Sequence, residues 1–184
     1  SAWVWANGEV VHGIPSRERV LKEGDTVSVD AGAYINGYNG DAARTFPVGK
    51  ISPDAARLIE VTRQCFYEGL RFARLGYRIG DISGAIQDYA ESHGYSVVRE
   101  LIGHGVGRNL HEAPDVPNYR MRSPGIRLQE GLTIAVEPMI NAGSRRVHVL
   151  DNGWTVVTDD GAYSAHYENS IAITDGEPLI LTAD

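Results

Sequence analysis

The 184-residue chain has a single cysteine, Cys65, so no disulfide can close within it. That fits a reducing compartment, and the cytoplasm is the expected location. No apolar run approaches membrane-spanning length, and the N-terminus lacks the charged and apolar regions of a signal peptide. No membrane partner is therefore expected. Basic clusters are also missing: 17 Lys and Arg are scattered among 24 Asp and Glu, for a formal net charge of −7. A nucleic-acid partner normally needs a basic face and is disfavoured. No low-complexity or linker-like stretch divides the chain, so one domain over residues 1–184 is the economical expectation. There is no initiator Met, and Ser1-Ala2-Trp3-Val4-Trp5 is already strand-like. The expectation is a chain that starts inside a fold.

What the chain does have is an internal repeat. Leu21-Lys22-Glu23-Gly24-Asp25-Thr26-Val27-Ser28-Val29-Asp30 is echoed by Leu128-Gln129-Glu130-Gly131-Leu132-Thr133-Ile134-Ala135-Val136-Glu137. Each copy reads as a Glu-Gly turn feeding a strand with β-branched residues, and each ends on a carboxylate. Two halves that each donate an acid suggest one site on a pseudo-twofold axis, and hence a metal.

Around the repeat, glycines punctuate short strands. Asn7-Gly8 reads as the turn of a first hairpin. Asn36-Gly37 is a strong two-residue hairpin signal joining strands over 27–34 and 38–46. Ser52-Pro53 predicts a helix N-terminus, with apolar periodicity to about Leu75 and a stop at Gly76. Asp81 predicts the cap of a second helix that ends at Gly94. Residues 95–99 read as a strand, Gly103-His104-Gly105-Val106-Gly107 as a glycine-rich loop, 114–125 as turns. Asn152-Gly153 and Asp175-Gly176 mark later hairpins. The fold class expected is α+β, antiparallel strands with helices on one face.

Candidate chemistry follows from the first hairpin. With Ile35 opposite Tyr38, Asp30 lies opposite Ala43 and two residues from Asp41. The two carboxylates then share a face, with backbones roughly 7 Å apart. Bare carboxylates so close repel, and a divalent cation removes the conflict. Solvated acids on an exposed face are the alternative. The apolar neighbours Val27, Val29, Ala31 and Ala33 weaken it, as do Ile134, Val136 and Met139 around Glu137. Glu168 lies in another apolar strand, and the glycines beside His104 would let a ligand approach closely. Four acids and this histidine match the mixed oxygen and nitrogen donors of hydrolytic Mn, Fe, Co or Zn sites. His12-Gly13-Ile14-Pro15 and His111-Glu112-Ala113-Pro114 place two further histidines before proline turns, suited to a substrate amide. His93, His148 and His166 read as surface or packing residues, and Cys65 as core.

These phrases, with Gly103-His104-Gly105-Val106-Gly107-Arg108, Val136-Glu137-Pro138-Met139 and Tyr167-Glu168, resemble type I methionine aminopeptidase over essentially the entire chain. The resemblance implies the pita-bread fold, whose two halves are pseudo-symmetric. It implies that Asp30, Asp41, His104, Glu137 and Glu168 bind two divalent ions, Mn, Fe, Co or Zn, the element left open. Asp41 and Glu168 would bridge them, with Asp30 completing one site and His104 and Glu137 the other. Water activated between the ions would lose its proton to Glu137, while His111 steadies the oxyanion and His12 the leaving amine.

The same resemblance implies partners and specificity. Nascent polypeptide or peptide N-termini would be the substrates, with ribosome association an option and a monomer expected. Trp154 matches the family's pocket tryptophan. Trp3 stands where a cysteine is usual, Leu110 replaces a common aromatic, and the family's N-terminal helix and strand precede the point where this chain starts. Two alternatives stay open: a non-catalytic pita-bread binding module, and an aminopeptidase with altered N-terminal preference.

Overall fold

The structure of the protein, a computed structural model, describes residues 2–14 and 16–183. Ser1 and Pro15, each part of a phrase read above, lie outside the described residues. The chain runs β1 (Ala2–Ala6), β2 (Glu9–Val11), β3 (Thr26–Ile35), β4 (Tyr38–Pro47), α1 (Pro53–Leu70) and α2 (Ile79–Ser92). It continues through β5 (Ser96–Val97), β6 (Gly103–Gly105), β7 (Glu112–Val116), β8 (Thr133–Val136) and β9 (Met139–Asn141). The last elements are β10 (Val147–Val149), β11 (Val156–Thr158), β12 (Ser164–His166), β13 (Glu168–Ala172) and β14 (Leu179–Ile180). This is the expected α+β architecture. The main sheet has the order β1-β3-β4-β13-β8-β6-β7, with β14 on β13; β10-β11-β2 and β12-β9-β5 form two smaller sheets.

The β3–β4 hairpin holds its predicted register from Thr26↔Pro47 to Ile35↔Tyr38, with Asp30 opposite Ala43. Asn36 and Gly37 both take positive φ, 53° and 88°, as a two-residue turn matched to strand twist requires. The Asn7-Gly8 turn also forms, but β1 and β2 diverge from it: β1 pairs with β3 and β2 with β11. That first hairpin is a corner between two sheets.

Helix α1 starts where Ser52 Oγ accepts the Ala55 N–H at 3.1 Å and Pro53 fixes the first turn. It stops at Leu70, short of the predicted Leu75. Beyond it the chain turns so that Ala73 is fully buried and Phe72 meets Tyr77 edge-on, 5.2 Å between rings. Packing there outweighs continued helical periodicity. Asp81 sits inside the first turn of α2 rather than at its cap, and accepts the Arg78 N–H at 2.7 Å. Gly94 closes α2 with φ 82°. Only Ser96–Val97 of the predicted strand over 95–99 joins a ladder. No helix among the described residues is long and apolar enough to cross a membrane.

Leu58, Cys65, Phe66, Ile82 and Ile86 from the helices interlock with Ile134, Val136 and Ile171 of the main sheet and Ile140 of the β12-β9-β5 sheet. Burying each large side chain contributes roughly 1.5–3 kcal/mol. Cys65 is fully buried as expected, and burial pushes its thiol up to about 12. A smaller cluster of Trp5, Val10, Val11, Val98, Met139 and Val156 forms a second core.

The repeat is a structural one. In the first half Ser28, Asp30 and Gly32 face Thr45, Ala43 and Asp41. In the second, Ala135 faces Ser170, and the same register resumes beyond Glu137 with Met139 facing His166. Matching the two copies residue for residue therefore sets Ser170 on Thr45 and His166 on Asp41. Their hydrogen bonds are reciprocal. Ser170 Oγ accepts from Asp41 N at 2.8 Å and donates to Asp41 O at 3.1 Å. Thr45 Oγ1 accepts from His166 N at 2.8 Å and donates to His166 O at 3.1 Å. Each half clamps the other through a two-way hydroxyl, and Thr182 Oγ1 adds a second donor to Asp41 O at 3.1 Å.

Candidate metal centre

Five adjacent strands of the main sheet deliver one candidate ligand each. In spatial order they are Asp30 on β3, Asp41 on β4, Glu168 on β13, Glu137 just past β8, and His104 on β6. All five line one cavity of about 150 Å³. Ligand atoms of Asp41, His104 and Glu168 lie within 4.8 Å of one another, as do those of Glu137, His166 and Glu168. His104 Nε2 is 3.5 Å from Glu137 Oε1.

The face that carries Asp30 differs from the expectation. The buried residues of β3 are Thr26 and Ser28, while Val27 and Val29 are half-buried and Ala31 and Ala33 exposed. Ser28 can turn inward because its hydroxyl lies 2.8 Å from that of Thr45. A hydrogen-bonded seam underlies the acids, in place of an apolar stripe.

His104 sits on a strand rather than in the predicted loop. Between β8 and β7, a Cβ on Gly103 would lie 2.4 Å from Ala135 O, and one on Gly105 2.2 Å from Ala113 O. These glycines let neighbouring strands approach, which is a different job from admitting a ligand. The ring is oriented by its own backbone, with Nδ1 2.8 Å from Gly105 O. A carbonyl only accepts, so Nδ1 carries the proton and the Nε2 lone pair faces the acids.

Electrostatically the site is unhappy without a cation. Burial, then the charge of Asp41, raises Asp30 to about 7. Burial pushes Glu137 and Glu168 well above the usual carboxylate range, with neighbouring acids adding to it. Burial lowers His104, which keeps it neutral and able to ligate. Glu168 Oε1 is buried with no hydrogen-bond partner among the described residues. Crowded acids, a neutral imidazole and an orphaned carboxylate oxygen fit divalent metal ions and little else.

His12 and His111 line the same cavity. The His111 ring lies 4.1 Å from that of His104. His12 is stacked on Trp154 at 5.0 Å, and Trp3 contacts both, 5.6 Å from Trp154 and 6.2 Å from His12. Leu110, half-buried, is not among the residues lining this cavity. His93 packs against Tyr89, and His148 pairs with Asp159 at the surface, as expected. His166, read as a surface or packing residue, is packed against the ring of Trp5. It is 2% exposed and points its Nε2 at Glu137 and Glu168, at 3.7 and 3.9 Å. The signal was in the sequence: along an extended chain, residues two apart share a face, and His166 is two from Glu168.

The family model for metallopeptidase family M24 matches residues 1–175. The chain belongs to this family. A methionine aminopeptidase of Clostridium acetobutylicum is 54% identical over 176 residues, covering 96% of this chain and 70% of that protein. Methionine aminopeptidase 1 of Bacillus subtilis is 53% identical over 182 residues, covering 99% of this chain and 73% of its own length. The crystal structure of a methionine aminopeptidase from Thermotoga maritima superposes with a TM-score of 0.96 at 46% identity, over the whole of this chain and 74% of that one. A prolidase from Pyrococcus horikoshii, at 22% identity and a TM-score of 0.75 over 99% of this chain and 47% of its own, shares the fold alone. The fold is the pita-bread fold of this M24 family, and the family's chemistry uses divalent metal.

Proposed function

We infer that the chain is a metal-dependent aminopeptidase that removes N-terminal methionine from nascent proteins and peptides. The observation that carries the site assignment is the convergence of Asp30, Asp41, Glu168, Glu137 and His104 from five neighbouring strands on one cavity. We propose that Asp30, Asp41, His104, Glu137 and Glu168 would hold a pair of divalent ions, Mn, Fe, Co or Zn, with Asp41 and Glu168 serving both. Bound there, divalent ions supply hydroxide near neutral pH by lowering the pKa of water.

The protein does the rest. Glu137 accepts the proton of the attacking water and passes one to the leaving amine. His111, beside His104 at 4.1 Å, donates to the oxyanion that forms at the scissile carbonyl. His12, held by its stack on Trp154, faces the departing nitrogen. With ions held by these acids, the free amine end of a substrate would be anchored beside them, which would restrict cleavage to the first residue. We propose that residues 1–184 belong to a single metallopeptidase catalytic domain acting as a cytoplasmic monomer.

Trp3 favours a refinement of the substrate preference. Its indole meets Trp154 and His12, and of the three only His12 lines the cavity of the acids. A pocket narrowed by that indole prefers methionine less strongly. Metal analysis combined with turnover on Met-, Ala- and Pro-starting peptides tests this reading. Metal-dependent release of methionine is expected, and release from none of the three by fully loaded protein would overturn it.

A further inference from the structure

We propose that His166 is an additional ligand of the metal centre, its Nε2 binding the ion held by Glu137. Three independent observations point there. The ring is essentially fully buried, and neither of its nitrogens has a hydrogen-bond partner among the described residues. Leaving buried polar atoms unmet is costly, so the ring is placed to meet a partner.

The distances say which partner. Nε2 lies 3.7 Å from Glu137 Oε2 and 3.9 Å from Glu168 Oε2, too far for a hydrogen bond to either. Metal–donor bonds of about 2.0–2.2 Å leave adjacent donors of one ion roughly 3–4 Å apart. His104 makes a similar approach to the other oxygen of Glu137, at 3.5 Å. The carboxylate of Glu137 thus stands between two imidazoles.

The third observation is the position in the repeat. His166 faces Met139 as Asp41 faces Gly32, and its backbone is gripped by Thr45 as that of Asp41 is gripped by Ser170. His166 is the second half's counterpart of Asp41, a residue already proposed to bridge the ions. The indole of Trp5, stacked on the ring at 5.7 Å and 29°, holds it edge-on to the acids.

The inference rests on the ligand set proposed above, and the two fail separately. The full chain is stripped of metal, loaded with Co(II), and its paramagnetically shifted, solvent-exchangeable imidazole N–H signals are counted with ¹⁵N-labelled histidine. Two signals are expected, from His104 and His166, and His166→Gln should lose one of them. In that variant Co(II) affinity should fall about 10–100-fold, the scale of losing a supporting residue, or further. One signal in the wild type, abolished by His104→Ala, overturns the role of His166 and leaves the five-residue set intact. No shifted signal overturns both. The wild-type count decides the matter even if His166→Gln folds poorly.

Discussion

The two halves of the main sheet are built on one phrase and put to different physical uses. In the first, Thr26 and Ser28 turn inward while Tyr34 and Ile35 near the hairpin tip stay exposed. In the second, Ile134, Ala135 and Val136 are all fully buried, two of them packed under α1 and α2. The acids register the difference. Asp30, in the more open half, is raised to about 7, whereas Glu137 and Glu168 are pushed well above the ordinary range by burial. Opposite Ser28 stands Trp5; opposite its counterpart Ala135 stands His104. One half contributes a hydrogen-bonded seam and a wall, the other a buried pocket with an imidazole. The repeat supplies symmetric backbone positions, and unequal burial turns them into unequal roles.

The largest expected effect lies in the buried half. Glu137→Gln keeps the shape and removes the proton acceptor, so kcat should fall about 10²–10⁴-fold. Metal content is measured alongside, because the same residue is a proposed ligand. A folded, fully loaded variant with near wild-type turnover would remove Glu137 from proton transfer.

The acids also predict how metal and pH combine. Their folded pKa values are raised, so their contribution to the metal-free fold is complete below the ordinary carboxylate range. It is lost as pH rises through about 7 for Asp30 and beyond for Glu137 and Glu168. The histidines run the other way. Burial lowers His12 and His104, and takes His166 to about 3, so they weaken the fold as pH falls below about 6.5. Ligands bind metal only when deprotonated, so the gain in Tm on adding Mn(II) or Co(II) should be larger at pH 8 than at pH 6. At a hundredfold excess over Kd the stabilisation is about 2.7 kcal/mol. A gain that is flat or shrinks over that interval contradicts the ligand assignment.

The reciprocal clamps sharpen the comparison further. Thr45→Val strands the His166 N–H, and Ser170→Ala strands the Asp41 N–H. Each should cost ~1–3 kcal/mol in chemical denaturation. A loss in one variant and none in the other would break the equivalence of the halves.

The smallest effect concerns specificity. Trp3→Cys removes the indole that meets Trp154 and His12. The kcat/KM ratio for Met- over Ala-starting tripeptides should rise by the ~1–3 kcal/mol that a pocket misfit costs. An unchanged ratio places Trp3 outside the pocket's selectivity.

Much of this was legible in the residues because it depends on local rules. Asn36-Gly37 dictates a two-residue turn, the turn dictates register, and register dictates that Asp30 and Asp41 share a face. Ser52-Pro53 likewise states where α1 begins. What escaped depends on tertiary packing. The end of α1 was decided by the burial of Ala73, and the strand character of Gly103–Gly105 by the closeness of Ala135 and Ala113. The inward face of β3 was decided by a hydroxyl pair that hydrophobic patterning scores as polar and outward. The spacing of His166 from Glu168 already put it on the acids' face, but that it mirrors Asp41 shows only in the register of the second half.

The central claim is that two halves converge on shared ions, and the most direct test is metal stoichiometry in Asp41→Ala and Glu168→Ala, one variant from each half. Elemental analysis of the folded proteins should find both ions lost in both variants, since a bridging carboxylate serves the pair. Retention of wild-type occupancy in either, or loss of a single ion from each, would contradict it.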